Sequence, residues 1–328
     1  MSSEPAVATS APERDAQEDA PANPTLSEHC TTDRPTPAGE APKGELRKLG
    51  GIDVYLAKPD SYPSDPSKLL LLLTGGTGLQ SKNNQIQADK FAEDGFVVIM
   101  PDLFEGDPAP NQSAKLPEPG AVEGQTQDEV AGSFLEQFKL KIGETAKSFL
   151  IDMWLARHTE EKVMPILKKV IHAAKGEFAD AIGHGGGIYG VGYCFGGRYI
   201  LLLASERSAK QAGWTGAQKS ADEEAGDSKA APLIKAGALA HATLVSPEDF
   251  NGLKSPISLV CVENDPMFPD EVRTVGEDLM NKTGVEHEVQ VYPGVPHGFA
   301  VYGDYEEAHI KEAQVTAHDQ MLNWIDEH

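Results

Sequence analysis

Residues 188–204, IYGVGYCFGGRYILLLA, read as a strand that turns abruptly into a helix. The first half is short, apolar and spaced with glycine, as a buried strand is; the second is an apolar run of helical length. At the junction stands Gly192-Tyr193-Cys194-Phe195-Gly196, a G-x-C-x-G in the context a nucleophile elbow requires. The turn there is so sharp that a side chain two positions to either side of Cys194 would strike strand or helix, and Cys194 itself must take a strained backbone conformation. A thiol so placed is thrust outward at a helix N-terminus. The helix dipole and a histidine partner bring such a thiol from a pKa of ~8.5 into the ~3.5 to 7.5 range, and the Phe195 N–H faces any oxyanion that develops. The bland alternative is a small buried cysteine in a glycine-rich turn.

The order of the residues downstream of Cys194 separates the two. An elbow enzyme needs an acid just after a later strand and a histidine in the loop after the last strand. Asp265 follows the apolar run ISLVCV in ENDPMFP, and His297 follows an alternating strand in YPGVPHGF. Cys194, Asp265 and His297 therefore stand in the order of a Cys-His-Asp triad. The competing acids Glu263 and Asp270 read as strand-end and helix-start charges. TGGTG, residues 74–78, follows a five-leucine strand and can bring bare N–H groups to a substrate, so it is the expected oxyanion loop. His184 with its three following glycines enters the Cys194 strand and reads as a turn with a solvent-facing histidine.

Around these motifs short apolar runs alternate with helical spacings, the signature of an α/β sheet fold. Strands are predicted at 52–57, 69–74, 96–100, 188–192, 236–240, 257–262 and 288–292, and helices at 82–94, 195–204, 269–281 and 304–326. The last is expected to open with a capping box from Asp304 and Glu307. Further helix is expected in pieces between residues 128 and 174. Residues 1–46, rich in Ala, Pro, Ser and acids, bury too little to offset ordering entropy and read as a disordered tail. Residues 47–328 form the one globular domain, with a polar surface insertion near 208–231.

A formal charge of -23 repels phosphate backbones and anionic lipid, which leaves a small molecule as the expected partner, with no nucleic acid and no membrane. No apolar run approaches the ~20 residues of a membrane helix. Cys30, Cys194 and Cys261 make no disulfide framework and no C-x-x-C, and His172, His241 and His287 match no metal-ligand spacing. No metal is expected, and the compartment is expected to be reducing and cytoplasmic.

GYCFGG, ENDPMFP, PHGF and VVIMPDLFEGDP together resemble the dienelactone hydrolases of the α/β-hydrolase superfamily, especially the fungal ones, over about residues 48–324. The resemblance implies a mainly parallel sheet of about eight strands between helices and no cofactor. It implies Cys194 as nucleophile, His297 as general base, Asp265 as its orienter, and the N–H groups of Phe195 and Gly76 as oxyanion donors. Bacterial members carry a glutamate in the oxyanion loop, where this chain has Gly75. Arg198 is a candidate anion binder or a salt-bridge residue; Tyr193 and Phe299 are pocket or core; Trp154 is cap or helix packing; Asp102 and Glu105 stay open. The expected activity is that of a carboxylic ester or lactone hydrolase, carboxymethylenebutenolidase-like, working through an acyl-thioester. A thiol redox sensor and a catalytically silent binding protein of the same fold are the alternatives.

Overall fold

The computed structural model describes residues 28–111, 149–207 and 231–328. Its strands are β1 Glu45–Leu49, β2 Ile52–Ala57, β3 Lys68–Leu73, β4 Phe96–Pro101, β5 Ile188–Tyr193, β6 Ala236–Ala240, β7 Ile257–Val262 and β8 His287–Tyr292. They lie in one sheet in the order β1-β2-β4-β3-β5-β6-β7-β8. β1 pairs antiparallel with β2 and β2 antiparallel with β4; every other pairing is parallel. Such a sheet must be covered on both faces, which is why its central strands are apolar without interruption. In β3 the leucines alternate: Leu69, Leu71 and Leu73 join the core on one face, Leu70 and Leu72 the core on the other, all at most 2% exposed. Each such side chain contributes on the order of 1.5–3 kcal/mol.

The helices that cover these faces are α1 Glu28–Thr31, α2 Lys82–Glu93, α3 Glu160–Glu177, α4 Ala179–Gly185, α5 Phe195–Ala204, α6 Asp270–Thr283 and α7 Ala308–Glu327. α5 packs on β5 and β6 at the centre of the sheet, and no residue of it but Arg198 is less than buried. α2 starts where the Ser81 side chain accepts the Asn84 N–H, an ordinary N-cap. α7 starts without one. The expected capping box does not form: Glu307 is the N-cap with no side-chain bond, Asp304 pairs with Lys311, and the Asp304 N–H donates to the Pro35 carbonyl. His184 is exposed in the last turn of α4, and the turn falls at Gly186, whose φ of 68° suits glycine.

The N-terminal boundary departs from expectation. α1 begins at Glu28, Cys30 is 1% exposed, and β1 begins at Glu45, so the described part of the expected tail, residues 28–46, carries regular structure and a buried cysteine. Its order comes from distant partners: Asp33 accepts from Ser81, the Arg34 carbonyl accepts from Asn83, and Thr36 donates to Asn83. Residues 1–27, the insertion through residue 230 and the expected helix before residue 149 lie outside the described residues.

Candidate active site

The strand-to-helix junction has the expected strain. Cys194 sits at φ 50° and ψ -115°, a conformation that costs a side-chain-bearing residue on the order of 1–3 kcal/mol. Neighbouring backbone holds it there. The Cys194 N–H donates to Ala240, the Thr243 N–H donates to the Cys194 carbonyl, and the Gly196 N–H donates to Thr74. The flanking glycines are required by contact rather than by φ. A Cβ on Gly192 would lie 2.7 Å from the Gly196 carbonyl oxygen, and one on Gly196 would run into the Leu73 carbonyl. Strand and helix thus touch backbone to backbone, which aims Cys194 at the carboxyl edge of the sheet.

Two loops at that edge carry the other candidate residues. After β7, Asp265 is turned inward, 3% exposed, with Oδ1 accepting the Met267 N–H at 2.9 Å. After β8, His297 is 6% exposed and its Nδ1 lies 2.7 Å from Asp265 Oδ2. A carboxylate only accepts, so Nδ1 carries the proton and Nε2 is left facing away from the acid. Nε2 is buried without a partner in hydrogen-bonding geometry. A His297 ring nitrogen and the sulfurs of Cys194 and Cys30 all lie within 4.8 Å of one another. Looseness of this kind before substrate arrives is usual for a nucleophile and its base.

Electrostatics couples the pair. Burial opposes ionisation of Cys194, but the Cys30 thiol and His297 outweigh it and bring Cys194 down to about 5. Burial likewise disfavours the imidazolium, and the bond to Asp265 with the neighbouring thiolate outweighs it, raising His297 to about 9. The favoured state is thiolate beside imidazolium. Cys261, buried in β7 with no such partners, is pushed the other way, to about 12, chiefly by burial.

Cys30 is the residue that reasoning from sequence missed. Its Sγ lies 2.8 Å from Cys194 Sγ. Thr243, whose hydroxyl is 3.8 Å from the same sulfur, was missed as well. Among the described residues, Cys30, Cys194 and His297 are the one group of metal-binding side chains that converges in this way.

The other expected residues divide. Phe195 opens α5, so its N–H is among the donors a helix start leaves unused. In the expected oxyanion loop Gly75 faces the thiol most closely: a Cβ there would lie 3.1 Å from Cys194 Cβ and 3.6 Å from Sγ. Gly76 lies alongside, where a Cβ would lie 2.7 Å from the Cys30 carbonyl oxygen. Arg198 is not brought to the thiol. Its guanidinium is held by Asp249 at 2.9 and 3.1 Å and by Glu160 at 3.1 Å. Tyr193 and Phe299 are core, packed in the cluster on the α2 and α7 face, 3% and 0% exposed. Trp154 is fully buried against Phe104 and Phe195, as helix packing requires. Asp102 caps a turn by accepting the N–H groups of Phe104 and Gly106, and Glu105 lies in that turn at φ 50°.

The space beside Cys194 is a cavity of about 20 Å³, walled by Cys30, Thr32, Asp33 and Arg34 on one side and by Gly75, Gly298 and Tyr305 on the other. That is room for one water. A wider cleft of about 680 Å³ between Lys43–Lys58 and Asp89–Gly95 touches none of the candidate residues. Chemistry, not volume, marks the site.

The dienelactone hydrolase family profile matches residues 52–328, which include the elbow, both loops and the last helix. The chain belongs to the dienelactone hydrolase family. Among the relatives of this dienelactone hydrolase family member is Hydrolase tropI of Talaromyces stipitatus, 29% identical over 294 residues that cover 88% of this chain and 91% of that one. Dienlactone hydrolase 1 of Gibberella moniliformis is 23% identical over 291 residues, covering 87% and 88%. A candidate dienelactone hydrolase from Klebsiella pneumoniae superposes with a TM-score of 0.59 at 17% identity, over 88% of this chain and 100% of that one, a likeness of fold. Family membership makes the protein a hydrolase and implies ester- or lactone-type substrates. No helix among the described residues is long and apolar enough to cross a membrane.

Proposed function

We propose that this family member hydrolyses a lactone or activated ester of a small molecule through Cys194, His297 and Asp265. The observation that carries the reading is the strained Cys194 elbow beside a His297 whose other nitrogen is bound 2.7 Å from a buried Asp265 carboxylate. The Cys194 thiolate attacks the acyl carbon, and the N–H groups of Phe195 and Gly76 hold the oxyanion. Collapse expels the alkoxide or enolate, which takes the His297 proton, and leaves an acyl-thioester. The thioester carries no charge, so His297 loses the anion that helped to hold its proton and becomes a base for water. Water attacks the thioester, the acid departs and the thiolate returns.

A thiolate is easily expelled from a tetrahedral adduct, so amides, whose amine leaves poorly, are the poorest substrates, and enol lactones and aryl esters the best. The cavity at the thiol has room for one water and no acyl group, so it must widen for substrate to enter. The test is steady-state hydrolysis of a dienelactone and an aryl acetate beside Cys194→Ala and His297→Ala. Turnover should be lost in both variants; equal turnover in wild type and variants sinks the reading.

One observation favours a second reading, thiol oxidation: Cys30 Sγ stands 2.8 Å from Cys194 Sγ. A peroxide would convert the Cys194 thiolate to sulfenic acid with release of hydroxide, and the Cys30 thiol would condense with it to a disulfide and water. Peroxide inactivation reversed by dithiothreitol, with a Cys30–Cys194 cross-linked peptide, separates this from irreversible damage.

A further inference from the structure

Cys30 belongs to none of the motifs that the hydrolytic reading uses, yet its sulfur is the atom nearest to Cys194 Sγ of any polar group described there, at 2.8 Å. The placement is built. The segment that follows Cys30 is tied to two other parts of the chain: Asp33 accepts from Ser81 at 2.8 Å, Thr36 donates to Asn83 at 2.7 Å, and the Pro35 carbonyl accepts from Asp304 at 2.8 Å. The thiol is 1% exposed, so it is delivered to one place rather than left to solvent.

Its role there comes from counting donors. A thiolate accepts hydrogen bonds and donates none, and a buried thiolate without donors is strongly disfavoured. Among the described residues, three side chains face Cys194 Sγ: Cys30 from α1, Thr243 from the loop after β6, and His297 from the loop after β8. Thr243 is distant at 3.8 Å, and the His297 Nε2 is outside hydrogen-bonding geometry. The same cavity also holds Asp33 and Arg34 from the N-terminal segment and Tyr302 and Tyr305 from the loop after His297. In the neutral pair the Cys194 S–H donates to Cys30 Sγ; a thiolate can only accept, so once Cys194 has given up its proton the contact reverses and the Cys30 S–H becomes the donor in place.

We propose that Cys30 is a positioning residue for the nucleophile, its S–H donating to the Cys194 thiolate and so keeping it ionised and aimed in the resting enzyme. This rests on Cys194 being the nucleophile. It extends the site from a triad to a four-residue unit, with its fourth member from the chain segment ahead of the first strand. Loss of a hydrogen bond to a charged group changes an equilibrium by about tenfold or more, so removal of the Cys30 donor should raise the ionisation midpoint of Cys194 by about one pH unit.

The experiment is the pH dependence of iodoacetamide alkylation, followed at the Cys194 peptide by mass spectrometry, in the full chain and in Cys30→Ala and Cys30→Ser. The expected result is a midpoint raised about one unit in Cys30→Ala and restored in part by Cys30→Ser, which keeps a donor. A Cys30→Ala midpoint that superimposes on wild type overturns the proposal. So does an equal rise in both variants, which would assign the effect to lost packing. Alkylation needs no turnover, so the two readings fail separately: a wild-type protein with a low midpoint and no esterase activity loses the hydrolase reading and keeps the role of Cys30.

Discussion

Asp265→Asn keeps the shape of the acid and reverses its hydrogen-bonding sense. In the native site Oδ1 accepts the Met267 N–H at 2.9 Å and Oδ2 accepts the His297 Nδ1 proton at 2.7 Å. The Met267 N–H can only donate, so an asparagine must give it the carbonyl oxygen, and its NH₂ then points at His297. Nδ1 is thereby forced to accept, and the imidazole proton moves to Nε2, the nitrogen that must take or give protons at the thiol. Loss of the charge-assisted bond alone is worth about 1.5–3 kcal/mol, on the order of 100-fold at its upper end. A wrong tautomer in a Ser-His-Asp site costs about 10⁴-fold in kcat. The expected fall in kcat for an aryl acetate therefore lies between about 100-fold and 10⁴-fold, with KM little changed, because the substitution reaches no substrate. The Cys194 alkylation midpoint should rise in step, since the imidazolium that favours the thiolate is lost. A variant within tenfold of wild-type kcat, with an unshifted midpoint, would refute the assignment of Asp265.

Two further outcomes concern the charge pairs. With the Cys194 thiol lowered to about 5 and His297 raised to about 9, thiolate and imidazolium coexist between those limits; kcat/KM should be flat across that window and fall as pH drops below it, when the thiolate protonates, or rises above it, when the leaving group loses its acid. A single rise centred where an ordinary thiol ionises would contradict the coupled pair. Arg198→Ala strands the Asp249 carboxylate, whose side chain is 4% exposed, while Arg198 itself is 22% exposed; allowing for that partial screening, the cost is about 1–3 kcal/mol and a Tm lowered by several degrees, with KM unchanged. A raised KM at unchanged Tm would return Arg198 to substrate binding.

Much of the molecule was legible because it is local. β2, β6, β7 and α5 begin and end where the apolar runs do, and the remaining predicted strands differ by a residue at their ends. A run such as LLLLL can satisfy both of its faces only in the middle of a covered sheet, so its place was implied by its composition. The elbow was legible for the same reason: glycine on either side of a cysteine, between strand and helix, has few other uses. Asp265 and His297 could be found because each lies just past a strand end, and parallel strands bring all such ends to one edge of the sheet.

Direction across space was beyond the reach of sequence. Arg198 stands one turn past Cys194, yet its side chain runs to Asp249 and Glu160 rather than into the site, because the identity of the surface facing α5 is a property of the packed fold. Tyr193 and Phe299 neighbour the candidate residues in sequence but fill the core on the α2 and α7 face: Tyr193 because alternate residues of β5 face opposite sides of the sheet, Phe299 because the turn after β8 packs it there. Cys30 is the sharpest case. The composition of residues 1–46 reports an average with little to bury, and it is blind to a short segment whose order is supplied by Ser81, Asn83 and Asp304. The amino-acid sequence by itself determined seven of the eight strands, the elbow and the order of acid and histidine, because periodicity and backbone sterics act over a few residues; β1 Glu45–Leu49 was not among the predicted strands. The tertiary structure alone decided which thiol meets Cys194, because that contact joins residues 164 apart in the chain.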